Sequence, residues 1–218
     1  MSPARRLTGT RRRATTILNE CLRILLYSAN LWYLGEGLFG PLFAVFVQQV
    51  GGSILEVSWA WGLYLVTTGA LFIAVGRVAT SERAQARLLL AGYVLNALCT
   101  FGYLLVRSPW HLFVVQAGLG VALALSGPTW SALYTEHLRS GSAGIAWGLA
   151  GGGQKILTGI AVICGGLIVH QFSFAALFTT MGIIQVVAVA YQARFHRATY
   201  LTPMVSRLRL PWLTPLSR

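Results

Sequence analysis

The chain has no aspartate, a single lysine, five glutamates and three cysteines. Each shortage removes a class of chemistry. With no Asp, no Gly-x-Ser-Gly and no His-Glu-x-x-His, the usual intramembrane protease constellations lack their parts. No enzyme activity is expected. Cys21, Cys99 and Cys164 are odd in number and lack metal-ligand spacing, so no metal and no cofactor is expected and the three read as small packing residues. Glu136 and His137 adjoin in sequence, but neighbours on a helix do not face each other, and they read as a solvated loop pair. Charge itself is scarce. Only 10% of residues are charged, against about a quarter in soluble domains.

What fills the chain instead is apolar. Hydrophobic residues make up 56% of it. Runs of spanning length fall at 24–48, 57–76, 87–106, 110–134, 143–169 and 172–193, which predicts an all-α membrane protein with six spans. Between the third and fourth runs only Arg107-Ser108-Pro109 intervenes, and Pro109 suits a tight turn. The expected division is a basic arm over 1–23, a six-helix domain over 24–193 and a basic tail over 194–218. The tail carries Pro203, Pro211 and Pro215, which exclude a long helix there.

The net charge of +12 comes from sixteen Arg and one Lys. Arg5, Arg6, Arg11, Arg12, Arg13 and Arg23 precede the first span. Arg77, Arg83 and Arg87 follow the second, Arg139 the fourth, and Arg194, Arg197, Arg207, Arg209 and Arg218 the sixth. With six alternating spans, fifteen of the seventeen cations share one side. That asymmetry predicts both termini in the cytoplasm, and a bacterial inner membrane is the expected location. It assigns the basic balance to orientation and to contact with anionic lipid, not to nucleic acid.

The chain also repeats itself. "AWGL" stands at 60–63 and at 146–149, and "LFGPLFAVFV" (38–47) has a partner in "LSGPTWSALY" (125–134). The pairs keep their order, and a Thr-Gly follows each "AWGL" at Thr68-Gly69 and Thr158-Gly159. The matched spans run in opposite directions. Two three-helix units of inverted topology, about 24–106 and 110–193, are therefore expected, a plan typical of secondary transporters.

Here the chain resembles one half of a major facilitator superfamily transporter. The resemblance covers roughly 24–193 and is best in "GLGVALALSGPTWSALYTEHLRSGSAGIAWGLAGGGQKILTGIAVICGGLIV". A glycine-rich fourth span leads to a proline, a short polar loop and a glycine-striped fifth span. The resemblance implies a cytoplasmic loop between spans 2 and 3 with Gly, Asp and basic residues. "GRVATSERAQARLLLAG" keeps Gly76, Arg77, Arg83 and Arg87, with Ser81 or Glu82 near the place of the Asp. An arginine common on the fourth span of proton-driven antiporters has no counterpart beside Gln116, and Ala161-Val162 replaces their Gly-Pro, so a drug/proton antiporter is not implied. Members usually carry twelve helices, so a six-helix chain is expected to pair with a second copy or a partner membrane protein.

Two ionisable residues stand inside spans. Glu36 lies thirteen residues beyond Arg23 and Lys155 thirteen beyond Ser142. Thirteen residues rise about 20 Å, in a hydrocarbon core about 30 Å thick, so both are placed near mid-depth. An isolated charge there costs about 2.5–3.5 kcal/mol. Helical spacing puts Ala29, Trp32, Tyr33, Gly40 and Phe43 around Glu36, and Gly148, Gly152, Gly159, Val162 and Gly166 around Lys155, a stripe that lets backbones approach closely. Glu36 and Lys155 either line a polar cavity and take substrate or a proton, or form an ion pair, or stand apart with Lys155 snorkelling. Thr67, Thr68 and Gln154 join them as candidates, with Asn96 a lesser one because span 3 is peripheral in the resembled family. Trp32 and Trp130 are the aromatics placed to stack a ligand; Trp61, Tyr134 and Trp147 read as interfacial anchors. Pro41 and Pro128 are expected to kink their helices.

Two functions remain open at this stage. One is a secondary transporter, or half of one acting as a homodimer, that moves a small solute. The other is a non-transporting membrane scaffold or subunit that reuses the fold.

Overall fold

The computed structural model describes residues 20–138 and 141–200, with side chains to Phe195. The arginines of the expected arm (Arg5, Arg6, Arg11, Arg12, Arg13), Arg139, the Arg197 side chain, and Arg207, Arg209 and Arg218 with the tail prolines lie outside the described residues.

Among the described residues six helical spans cross the molecule: Glu20–Gln49, Ile54–Val78, Glu82–Leu105, Pro109–Glu136, Ala143–Gln171 and Phe174–Phe195. Number and order are those expected from the apolar runs. The chain is an integral membrane protein of all-α class.

Span 1 is not one helix. It runs as α1 (Glu20–Gly37), a 3-10 turn (Gly40–Leu42) and α2 (Phe43–Gln49). Pro41 sits in the first turn of the 3-10 segment, where its missing N–H costs nothing. The other proline behaves differently: the span 4 helix, Pro109–Glu136, continues through Pro128. Turns follow local chemistry. Gly51 and Gly141 have φ of 84° and 81°, a conformation that favours glycine. Ser53 caps span 2 with Glu56 in a reciprocal capping box, and Ser81 caps span 3 through the Ala84 N–H at 3.3 Å.

Span 2 packs on span 4, span 4 on span 3, span 3 on span 6, span 6 on span 1, and span 1 on span 5. Exchanging spans 1, 2 and 3 with 4, 5 and 6 returns these five main contacts, whereas the weaker contacts of span 5 with span 6 and of span 1 with span 2 have no such counterpart. Two cores result. Toward one end Phe39, Phe46, Tyr103 and Phe178 pack with centroids 4.8–6.2 Å apart. Toward the other, Leu22, Leu25, Leu89, Leu133 and Phe195 are fully buried. Spans 2 and 5 are the outliers: 17% and 11% of their apolar windows are buried, against 33–44% for the other four. Each holds to the bundle chiefly by one neighbour.

That contact is close. A Cβ on Gly165 of span 5 would meet the Leu38 carbonyl at the break in span 1, and one on Gly37 would lie 2.9 Å from the Ala161 Cβ and 3.1 Å from the Thr158 backbone. On the other flank a Cβ on Gly120 would lie 2.8 Å from the Tyr64 carbonyl oxygen and 3.0 Å from the Thr67 Cβ. Glycine permits these approaches because it has no Cβ.

The glycine stripe around Lys155 does something else. Cβ atoms on Gly148, Gly152, Gly159 and Gly166 would meet nothing within 4 Å. The close approach of span 5 uses Gly165 and Ala161 instead, so the predicted tight face turns away from the bundle. The spacing alone could not separate two glycine rows on one helix.

Candidate functional site

Glu36 sits in the last turn of α1, half-buried. Burying a carboxylate in an apolar bundle requires donors. Two amides supply them. Asn96 of span 3 donates Nδ2–H to Glu36 Oε1 at 3.0 Å, and Gln185 of span 6 donates Nε2–H to the same oxygen at 3.3 Å. Gln185 Nε2 also donates to the Trp32 carbonyl at 3.2 Å. A Cβ on Gly35 would lie 2.5 Å from Gln185 Nε2, so the glycine is what lets the amide in. Asn96 and Gln185 are each 1% exposed. Gln185 Oε1 is buried with no hydrogen-bond partner among the described residues.

Lys155 is not part of this cluster. It is exposed, on the open face of span 5, and makes no ion pair with Glu36. The ion-pair alternative is therefore excluded in this structure, although equal depth had allowed it. Depth is a matter of residue count, whereas pairing also needs facing directions, and those are set by which row of span 5 docks on span 1.

One turn before Glu36 a groove of about 330 Å³ opens between the spans. Trp32 and Tyr33 come from span 1, Phe72 from span 2, Tyr93 from span 3, Ser126, Trp130 and Ser131 from span 4, and Trp147 and Gln154 from span 5. Of the sequence candidates it brings together Trp32, Trp130 and Gln154. Trp32 is buried, edge-on to Tyr93 at 4.7 Å. Trp130 is held by its indole N–H, which donates to the Leu25 carbonyl at 3.0 Å, and stacks on Tyr134 at 4.6 Å. Thr67 lies outside the groove lining, at the Gly120 contact of spans 2 and 4. Thr68 bonds the Tyr64 carbonyl of its own helix at 2.7 Å, as a membrane threonine usually does.

Some readings change. Tyr134 is not an interfacial anchor: it is fully buried, and its hydroxyl donates to the Ala146 carbonyl at 2.7 Å, tying span 4 to the start of span 5. His137 is not simply solvated. Its Nε2 lies 3.7 Å from Glu82 Oε1 and its ring 5.7 Å from Phe195, so the first turn of span 3 is tethered to the end of span 4. Arg77, in the last turn of span 2, and Arg87, in span 3, are exposed. Gln185 was missed altogether. Its signal was available, because Gln185 and Gln192 stand one heptad apart in an apolar span. Gln192 accepts from Ser28 at 2.7 Å, so both glutamines point at span 1. Asn96, a lesser candidate on a span that is peripheral in the resembled family, reaches Glu36 from the inner face of span 3.

The arrangement gives an aromatic, partly polar groove open to one side and, one turn further along span 1, a carboxylate held by neutral amides. Among the described residues no cluster of His, Cys, Asp or Glu is placed to hold a metal. A search of curated proteins finds no match. Residues 25–208, by contrast, match the family model of the Major Facilitator Superfamily, and the chain, with its six apolar spans, belongs to that family.

Proposed function

We propose that the chain is a secondary transporter, or a half-transporter acting as a homodimer, that moves a small solute by alternating access. The observation that carries this is the groove. Residues from five spans converge on one opening, and two of them, Trp32 and Tyr33, stand one helical turn before Glu36 on span 1. Such midplane placement is where secondary transporters bind. Trp130 and Trp147 offer faces for an apolar or cationic ligand, Gln154 and Ser131 its polar contacts, and Glu36 a proton. The amides beside Glu36 serve either charge state. They donate to the carboxylate, and Gln185 Oε1 lacks a donor that a protonated carboxyl in the same cluster can supply.

The symmetry of the five main contacts supports inverted repeats. So do the two repeat-matched Thr-Gly pairs: Thr67 and Thr68 border the span 2–span 4 approach, and Thr158 borders the span 1–span 5 approach. A second copy would cover the exposed faces of spans 2 and 5, with Lys155 and its open glycines at the seam. Termini on the cytoplasmic side of a bacterial inner membrane complete the reading.

The second reading, a non-transporting scaffold, draws on one feature. Glu36 bonded to Asn96 and Gln185 ties three spans together, which is also what a structural polar knot does. Reconstitution separates the two. Proteoliposomes holding the protein and a panel of labelled small solutes should show uptake that Trp130→Ala and Gln154→Ala abolish while the fold survives. Absence of any uptake, with the groove variants equally stable, would favour the scaffold.

A further inference from the structure

A second cavity of about 340 Å³ lies on the outer side of spans 1 and 6, away from the groove. Glu20, Arg23, Ile24 and Tyr27 line it from span 1, Tyr191 and Arg194 from span 6. Its place follows from the ends of the apolar runs. Arg23 directly precedes the run 24–48, and Arg194 directly follows the run 172–193. The cavity therefore sits where the apolar segments stop, at headgroup level, on the side that carries the basic segments.

Its walls are built for an anion. The Arg194 guanidinium lies over the Tyr191 ring at 4.8 Å, and Tyr191 packs edge-on to Tyr27 at 6.1 Å. That stack steers the Arg194 side chain. Arg23 stands across the cavity from it. Among the described residues neither arginine makes an ion pair. Glu20 lines the same cavity but is one carboxylate against two guanidinium groups.

The other acids of the sequence are placed elsewhere. The chain has five acids in all. Glu36 is in the midplane cluster, Glu56 caps span 2 at the opposite end, Glu82 faces His137, and Glu136 ends span 4. Residues 1–19 and 195–218 contain arginines and no acid. Of the five acids only Glu20 lines the cavity.

We propose that this cavity binds the phosphate of an anionic phospholipid. Two guanidinium groups can grip phosphate oxygens with paired N–H donors. Tyr27, half exposed, and Tyr191 are amphipathic rings of the kind found beside headgroups. The volume is at the lower end of the small-ligand range, enough for a headgroup, with acyl chains left to the bilayer. A free phosphate would satisfy the same arginines but would gain nothing from a cavity that opens onto the membrane.

The test uses the detergent-solubilised chain titrated with phosphatidylglycerol, phosphatidylcholine or inorganic phosphate, with retained adducts read by native mass spectrometry. The unaltered protein should hold phosphatidylglycerol preferentially. At about fivefold per arginine near a surface, the pair R23Q/R194Q should weaken apparent affinity roughly thirtyfold. R107Q, at the opposite end, should not change it. The pair R23K/R194K keeps both charges and loses the paired donors, and should weaken it only about threefold, which keeps the test valid if the glutamine pair misfolds. Unchanged phosphatidylglycerol binding in both double variants would overturn the site. Equal displacement by inorganic phosphate at the same concentration would overturn the lipid assignment.

Discussion

Gly165→Ala tests how span 5 is attached. The added Cβ would run into the Leu38 carbonyl group, 2.7 Å from its carbon and 3.0 Å from the Leu38 Cα, and close on its oxygen as well. The obstacle is backbone, at the break between α1 and the 3-10 turn, and cannot rotate aside. Ordinary contact would require the helices to separate by roughly 1 Å, and inserting a methyl into a filled contact costs about 1–3 kcal/mol. The upper end applies here, about 3 kcal/mol, because no side chain can yield. Alanine's better helix propensity returns about 1 kcal/mol. The net is about 2 kcal/mol, or roughly 4–8 °C in Tm for a chain of this size. Gly159→Ala, whose Cβ meets nothing within 4 Å, should be neutral or slightly stabilising in the monomer. Thermal unfolding of purified protein, followed by loss of the monodisperse peak, measures both. Equal Tm for Gly165→Ala and the parent, or a Gly159→Ala variant as unstable as Gly165→Ala, would refute the docking row assigned to span 5. A Gly159→Ala variant that keeps its monomer Tm but loses dimer would locate that face at a seam.

Glu36→Gln and Lys155→Met should each impair uptake, and because the two do not pair, their effects should add in the double variant; rescue in the double would restore the ion pair the structure excludes. Gln185→Leu removes the donor shared by the Trp32 carbonyl and Glu36 and should lower stability by about 1–3 kcal/mol, read in the same unfolding assay, whereas a neutral outcome would remove Gln185 from the cluster. Single cysteines placed at Gly51, Ser108 and Gln171 should be labelled from outside, while those at Ser81 and Ser140 should not. Outside labelling at Ser140 would break the arginine-based orientation.

Much of the fold was legible because a bilayer leaves few choices. Long apolar runs must become helices to satisfy their backbone, so the six spans followed from run length, with ends displaced by a few residues where the Ser53 cap starts a helix earlier than hydropathy does. The Trp32, Trp130 and Gln154 part of the groove was legible from depth and residue type. The Glu36 cluster was only half legible. A carboxylate in a span announces that it needs partners, but not which of several polar residues at similar depth will face it.

The sequence by itself therefore determined the number of spans, their order, the cation asymmetry and the positions of Glu36 and Lys155 along their spans, since each depends only on composition along one dimension. The tertiary structure decided which face of each helix turns inward. It put Gly165 rather than Gly159 against Leu38, gave Glu36 to Asn96 and Gln185, left Lys155 exposed, and buried Tyr134. The physical reason is that helix rotation depends on close packing between particular rows of side chains, and two glycine rows on one span look alike until a neighbour fills one of them.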